Sequence, residues 1–170
     1  MVEPSRDPYR DVLLEAFREL EGAELWIVGR PLGISIDRLR ELAAHARGTV
    51  RFVPRFVSDS ELPAYFRRAD VIALPYRDAE QSGVLFSALA FAKPIVMSAV
   101  GGFPEVAAAG GGVTVPPGDP DALASALSDL LARPEERERL SAAAAAAASE
   151  RYSWEVVASQ TMALYQELIA

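Results

Sequence analysis

The sequence has no cysteine, one histidine (His45) and one lysine (Lys93). Without thiols, disulfides, thiolate metal sites and cysteine nucleophiles are all excluded. A Ser–His–Asp triad would have to use His45, and nothing around that residue has the form of a nucleophile elbow. Carboxylate–histidine clusters spaced for a divalent metal are lacking too, so no metal site is expected. No apolar run approaches the ~18 residues that span a bilayer, and no signal-peptide layout opens the chain. A transmembrane segment is therefore not expected. Basic residues are the minority, 17 Lys+Arg against 24 Asp+Glu, and the net charge of −7 disfavours nucleic acid as a partner. These absences describe a soluble domain, cytoplasmic by expectation.

What is present suits one compact domain. The 170 residues are 51% hydrophobic, enough for a real core. Short apolar runs alternate with helical stripes along the whole chain. Val12, Leu13, Ala16, Phe17 and Leu20 mark a first helix ended by Gly22. The runs Leu25 to Val28, Val50 to Val53, Val71 to Leu74 and Val113 to Val115 read as strands, the last at an edge. Ser35, Ser58 with Glu61, Asp119 with Pro120, and Ser153 stand where helices are capped. The alanine run 142–148 continues a helix begun at Pro134, because alanine has the highest helix propensity. The final helix should turn Trp154, Val157, Leu164 and Leu168 inward. Strands alternating with helices demand an α/β domain, Rossmann-like, with a parallel sheet covered on both faces.

In such sheets ligands bind beyond the carboxyl ends of the strands. The segment from Leu74 to Glu105 supplies two glycine loops at neighbouring strand ends. Gln81-Ser82-Gly83-Val84 precedes an apolar helix whose first-turn amides lack intrahelical partners and carry the positive end of its dipole. A diphosphate would be stabilised there without a metal, and Gly83 would let it approach closely. Against this stands the plainer reading, that Ser82 is an N-cap and Gly83 a turn. Gly101-Gly102 makes a second loop-to-helix junction, or a packing turn. Arg30, after Gly29, has a guanidinium able to clamp phosphate. For Arg30, Arg55 and Arg77 taken singly, solvated surface is the safer reading. Asp78 and Glu80 face the crevice and can accept hydrogen bonds from sugar hydroxyls. Asp70 sits at the wrong end of its strand for catalysis, and Lys93 should answer a helix dipole.

The order RFVPRFVSDSELPAYFRRADVIALPY, QSGVLFSALAFAKPIVMSAVGGFPEV, VPPGDPDALASALSDLLARPEERERL and YSWEVVASQTMALYQEL resembles the group-one glycosyltransferases. These are nucleotide-sugar-dependent, retaining enzymes of GT-B architecture. The resemblance is to their C-terminal, donor-binding half, with the N-terminal acceptor-binding domain absent from this chain. It implies a nucleotide-diphospho-sugar as metal-independent donor substrate, and no other cofactor. It places Glu80 on the transferred sugar as the catalytic residue, with Gln81, Ser82, Gly83 and Val84 at the sugar and diphosphate. It also sets Gly29 and Arg30 beside the nucleotide, Arg55 and Phe56 along the base, and Gly101 and Gly102 at the far side of the cleft. The missing domain implies a location at the inner membrane face.

The chain departs from the family pattern at three places. Where a second glutamate holds the ribose, this chain has Ser87 or Ala88, depending on register. Arg10 is the nearest basic residue to the family's phosphate-binding lysine. Ala92 stands where a glycine precedes Lys-Pro, at a cost of about 1 kcal/mol if that position needs positive φ. Two other readings stay open, a nucleotide-sugar epimerase of the same architecture and a non-catalytic α/β regulatory module. A receiver-like module needs an aspartate at a strand's carboxyl end, and Asp70 precedes its strand.

Overall fold

The computed structural model describes residues 8–31 and 35–169, with the backbone alone at residues 8–10. Five strands alternate with helices in chain order: α1 (Pro8–Phe17), β1 (Glu24–Val28), α2 (Ile36–Ala43), β2 (Thr49–Val53), α3 (Leu62–Arg68), β3 (Ile72–Leu74), α4 (Gly83–Ala90), β4 (Ile95–Ser98), α5 (Phe103–Ala108), β5 (Gly112–Val115), α6 (Pro120–Ala132), α7 (Pro134–Glu150) and α8 (Trp154–Ile169). All pairings are parallel. They form two hydrogen-bonded groups, β1–β2 and β3–β4–β5, instead of one unbroken sheet.

Side chains alternate between two buried faces, which is why the strands read as continuous apolar runs. Val96 packs with Val12 and Phe17 of α1, Leu20 just beyond it, and Leu123 and Leu127 of α6. Ile95 and Met97, on the other face, pack with Leu85 and Leu89 of α4, Phe103 of α5 and Ala144 of α7. A smaller cluster joins Leu14 of α1, Ile27 of β1, and Leu39 and Leu42 of α2. The result is a three-layer α/β/α domain with β4 fully buried at its centre.

The caps form where the sequence places them. Ser35, Asp119 and Ser153 accept from Arg38 N at 3.2 Å, Ala122 N at 2.9 Å and Val156 N at 3.3 Å. Ser58 and Glu61 make half of a capping box: the Glu61 carboxylate accepts from Ser58 N at 3.1 Å, and the regular helix begins one residue later.

Two expectations are corrected. α8 has no buried residue; Trp154 is 85% and Leu168 73% exposed, so its apolar stripe faces solvent and not the core. Periodicity identifies an apolar stripe but not whether this domain has a surface to cover it. Lys93 answers a helix dipole, but that of α3: its Nζ donates to the Arg67 carbonyl at 3.0 Å.

Ala92 adopts φ 52°, the one left-handed non-glycine residue among those described. It closes α4 in a Schellman motif, with Lys93 N donating to Ala88 O at 2.9 Å and Ala92 N to Leu89 O at 2.8 Å.

Candidate functional site

The carboxyl ends of the strands gather the sequence-derived candidates into two groups. The first lies on β1 and β2. Gly29 leaves β1 at φ 119°, which a side chain tolerates poorly, and its N–H still donates to Val53 O at 3.0 Å. Arg30 follows, its guanidinium 5.6 Å above the ring of Phe56 beyond β2. Phe56 is 64% exposed, so the pair makes an open aromatic and cationic shelf. Arg55 is engaged elsewhere. Its guanidinium forks onto the Glu61 carboxylate at 3.0 and 2.7 Å and also donates to Phe56 O at 3.0 Å. Glu61 is pulled down to about 2, first by Arg55 and then by the Ser58 N–H and hydroxyl. Arg55 therefore pins the segment that presents Phe56.

The second group lies on β3 and β4. Ser82 is buried, and its Oγ accepts from Leu85 N at 3.4 Å and lies 3.4 Å from Tyr76 Oη. The hydroxyl is an N-cap, as the plainer reading held. Its role does not exhaust the loop, because Glu80, Gln81, Gly83 and Val84 are exposed around it. The Gly83 and Val84 N–H groups open α4 with no acceptor among the described residues. A Cβ built on Gly83 would meet nothing within 4 Å, so this helix end looks onto open space.

Gly101 and Gly102 buttress that loop. Gly101 has φ 49°, and a Cβ there would overlap the Ala79 carbonyl. Gly102 N donates to Glu80 O at 3.3 Å. Backbone packing thus requires glycine at 101, and the Gly102 N–H holds Glu80 at the rim. Arg77 comes in beside Gly118, whose Cβ would lie 3.6 Å from the Arg77 Nε. Pro116-Pro117-Gly118 after β5 reads as a turn in the sequence, and Gly118 makes it at φ 77°. Two residues went unrecognised. Tyr76 orients the Ser82 cap and tilts against Phe103 at 5.6 Å. Ser98, at the end of β4, is 1% exposed with its Oγ unbonded. A serine ending an apolar strand gives no sequence signal of that kind.

The departures from the family pattern resolve differently. Ala88 is 0% exposed inside the core and cannot reach a ligand. Ser87 lies one turn beyond Gly83, and its hydroxyl donates to the Gly83 carbonyl at 2.8 Å. The Arg10 side chain lies outside the described residues. Among those residues no group of three His, Asp or Glu could hold a metal ion, and no helix is long and apolar enough to cross a membrane.

Comparison with known proteins sets this geometry in context. The family model of glycosyl transferases group 1 matches residues 8–133. A phosphatidyl-myo-inositol mannosyltransferase of Mycobacterium leprae is 39% identical over 158 residues, covering 92% of this chain and 41% of the relative. The chain thus spans about two fifths of that relative's length. Sucrose-phosphate synthase of Thermosynechococcus elongatus superposes with a TM-score of 0.80 at 27% identity, over 98% of this chain and 44% of that one. Anabaena HepE, solved with UDP-glucose, has the same fold, with a TM-score of 0.76 at 20% identity over 95% of this chain and 46% of that one. The two-faced α/β architecture is that of GT-B glycosyltransferases. On the family match over most of its length, this chain belongs to the glycosyl transferases of group 1.

Proposed function

We propose that this chain is the C-terminal, donor-binding half of a retaining glycosyltransferase, and that it binds a nucleotide-diphospho-sugar between the two groups of rim residues. The observation that carries this reading is the amino end of α4. Two backbone amides without acceptors face open space beside a glycine whose missing Cβ leaves the approach clear. A diphosphate placed there meets the positive end of an eight-residue helix. The Phe56–Arg30 shelf gives a nucleobase a flat surface to stack on. That HepE was solved with UDP-glucose is in keeping with this class of donor.

In the mechanism that follows, the Gly83 and Val84 N–H groups, with Ser82 N–H beside them, stabilise negative charge on the departing nucleoside diphosphate. Preorganised dipoles of this kind need no histidine and no metal. Glu80, held by the Gly102 N–H to its backbone carbonyl, presents its carboxylate at the transferred sugar. The acceptor hydroxyl attacks from the face that the diphosphate leaves. Gly29 gives the nucleotide room beside Arg30, and Gln81 lines the sugar pocket. Of the two candidates for the family's ribose-holding position, Ser87 and the buried Ala88, only Ser87 can meet a ligand. A hydroxyl there replaces a carboxylate and contributes a weaker, neutral hydrogen bond. The N-terminal acceptor domain closes the cleft, and the whole enzyme works in the cytoplasm, at the inner membrane face.

Calorimetric titration of the chain with UDP-, GDP- and ADP-sugars, with Gly83→Val as control, tests this. Binding of one nucleotide-sugar that is lost in Gly83→Val is the expected result. No binding by any donor, or equal binding by the variant, would overturn the assignment.

A further inference from the structure

Asp11 differs from the other carboxylates near the carboxyl ends of the strands. Glu61 is held by Arg55 and by the Ser58 N–H, and Asp119 accepts from Ala122 N. Asp11 Oδ1 is sealed from solvent, and no described residue donates to it. Among the described residues it is the one carboxylate oxygen in that condition. Taking such an atom out of water without a partner costs stability, so an orphan of this kind calls for a donor from outside the protein.

The fold fixes where this carboxylate lies. α1 runs antiparallel to the strands. Its last residue, Phe17, lies against Gly48 at the amino end of β2, so its first turn, with Asp11, comes to the carboxyl ends. Asp11 and Leu14 are three residues apart and share one face of the helix. Leu14 clusters with Ile27 of β1 and with Leu39 and Leu42 of α2. Asp11 therefore stands one turn further along, over the end of β1, where the chain has Gly29. The Gly29 N–H continues the ladder to Val53 O, so strand alternation turns its missing side chain to the same face as Ile27. A Cβ built on Gly29 would meet nothing within 4 Å, which leaves the end of β1 open beneath the first turn of α1.

We infer that Asp11 reads the ribose of the nucleotide, its carboxylate accepting hydrogen bonds from the ribose hydroxyls in the space that Gly29 leaves. This inference rests on the donor reading given above. Placement and charge together select the ribose. The Arg30–Phe56 shelf takes the base on one side, and the Gly83 and Val84 N–H groups take the diphosphate across the crevice. The part of a nucleotide that joins base to diphosphate is the ribose, and on that path it passes the end of β1. A carboxylate repels phosphate but matches hydroxyl donors, and such charge-assisted bonds are about twice as strong as neutral ones. Ser87, on α4, gives its own hydrogen to the Gly83 carbonyl and offers only a neutral acceptor. The ribose is thus held from α1, in the opposite layer to the helix that holds the diphosphate.

The test is an NMR-monitored titration of the 170-residue chain with UDP, GDP and ADP, each beside its 2′-deoxy and 3′-deoxy counterparts. The parent chain should bind at least one ribonucleotide about tenfold or more tightly than one of its deoxy counterparts. In Asp11→Ala that preference should shrink to less than about threefold, through weaker binding of the ribonucleotide alone. Thermal unfolding supplies an arm without ligand. No described protein group bonds the sealed oxygen, so Asp11→Ala and Asp11→Asn should each keep Tm within about 5 °C of the parent, the loss at a helix first turn included. No binding of any of the three nucleotides by the parent overturns the donor reading and this inference with it. Equal binding of the ribo and deoxy forms, or a preference that Asp11→Ala leaves intact, overturns this inference alone. A larger fall in Tm in both variants overturns it too, because the carboxylate is then held by the protein and not by a ligand.

Discussion

Replacing Ala92 by glycine should stabilise this protein, and the expected size follows from its surroundings. Ala92 sits at the C′ position of the α4 Schellman motif with φ 52°. Its neighbours leave the chain no alternative path. Phe91 stacks on Phe66 with centroids 5.1 Å apart and planes 5° from parallel, and Lys93 Nζ caps α3 at Arg67 O. The Ser141 hydroxyl donates to the Ala92 carbonyl from α7. Together these contacts hold an L-residue in a conformation that costs about 1–2 kcal/mol. Glycine relieves that strain but gives up about 0.4–1 kcal/mol through the greater freedom of the unfolded chain. The net gain is about 0.5–1 kcal/mol, which at this chain length raises Tm by about 1–4 °C. Thermal unfolding followed by far-UV circular dichroism, with urea midpoints at unchanged m-value, measures it. Ala92→Val is the control of opposite sign, since a β-branched residue is still less at ease with positive φ. A fall in Tm for Ala92→Gly, or no difference in direction between the two variants, would refute the left-handed closure of α4.

The other expectations can be tested with the same protein. Gly83→Val should keep Tm within about 2 °C, because its Cβ enters open space at φ below zero, while affinity for a nucleotide-sugar in calorimetry falls at least about tenfold; intact affinity would move the site elsewhere. Gly101→Ala should destabilise by about 1–3 kcal/mol, since its Cβ meets the Ala79 carbonyl at positive φ, and a neutral result in urea unfolding would contradict the loop packing. Glu61 titrates near 2 when folded, so the Arg55–Glu61 pairing contributes stability above the ordinary value of 4.5 and loses it as pH falls toward about 2. Glu61→Gln should flatten the acid side of a plot of urea midpoint against pH, and parallel slopes would argue against the pair. Trp154→Ala should change stability by no more than about 0.5 kcal/mol, because the side chain is 85% exposed; a larger loss would mean α8 packs on something.

Much of this fold was legible because both faces of the strands are covered. Ile95, Val96 and Met97 form a run that only a two-sided burial explains, and capping residues such as Asp119 and Ser35 mark helix starts by local hydrogen bonds that need no tertiary context. The site was half legible. Gly83 and Ser82 stand where a loop meets an apolar helix, which sequence shows. That Gly101 must be glycine because Ala79 lies against it is a long-range contact, invisible in any window. Arg55 illustrates the limit from the other side. In sequence it is one of three candidate arginines, and only the fold reveals that Glu61 occupies its fork. The outward stripe of α8 failed for a related reason. Periodicity reports amphipathicity, and a helix with nothing against it has the same period as one in a core.

The rim divides where the strand order turns. From β1 the chain steps outward to β2, and from β3 it steps the opposite way through β4 to β5, so the interval between β1 and β3 is the switch point of the topology. Open α/β sheets bind ligands at such a point, because loops from neighbouring strands diverge there and leave a crevice. In this chain the aromatic and cationic shelf lies on one side of that crevice and the unbonded amides of α4 on the other. The elongated donor proposed here, with a flat apolar end and an anionic middle, would bridge them. The glycines at 29 and 83 keep both approaches free of side chains, while Gly101 fixes the loop from behind. Each group alone offers a modest contact. Their joint affinity depends on the distance between β1 and β3 being held, and in this fold α1 and α3 hold it from the two faces.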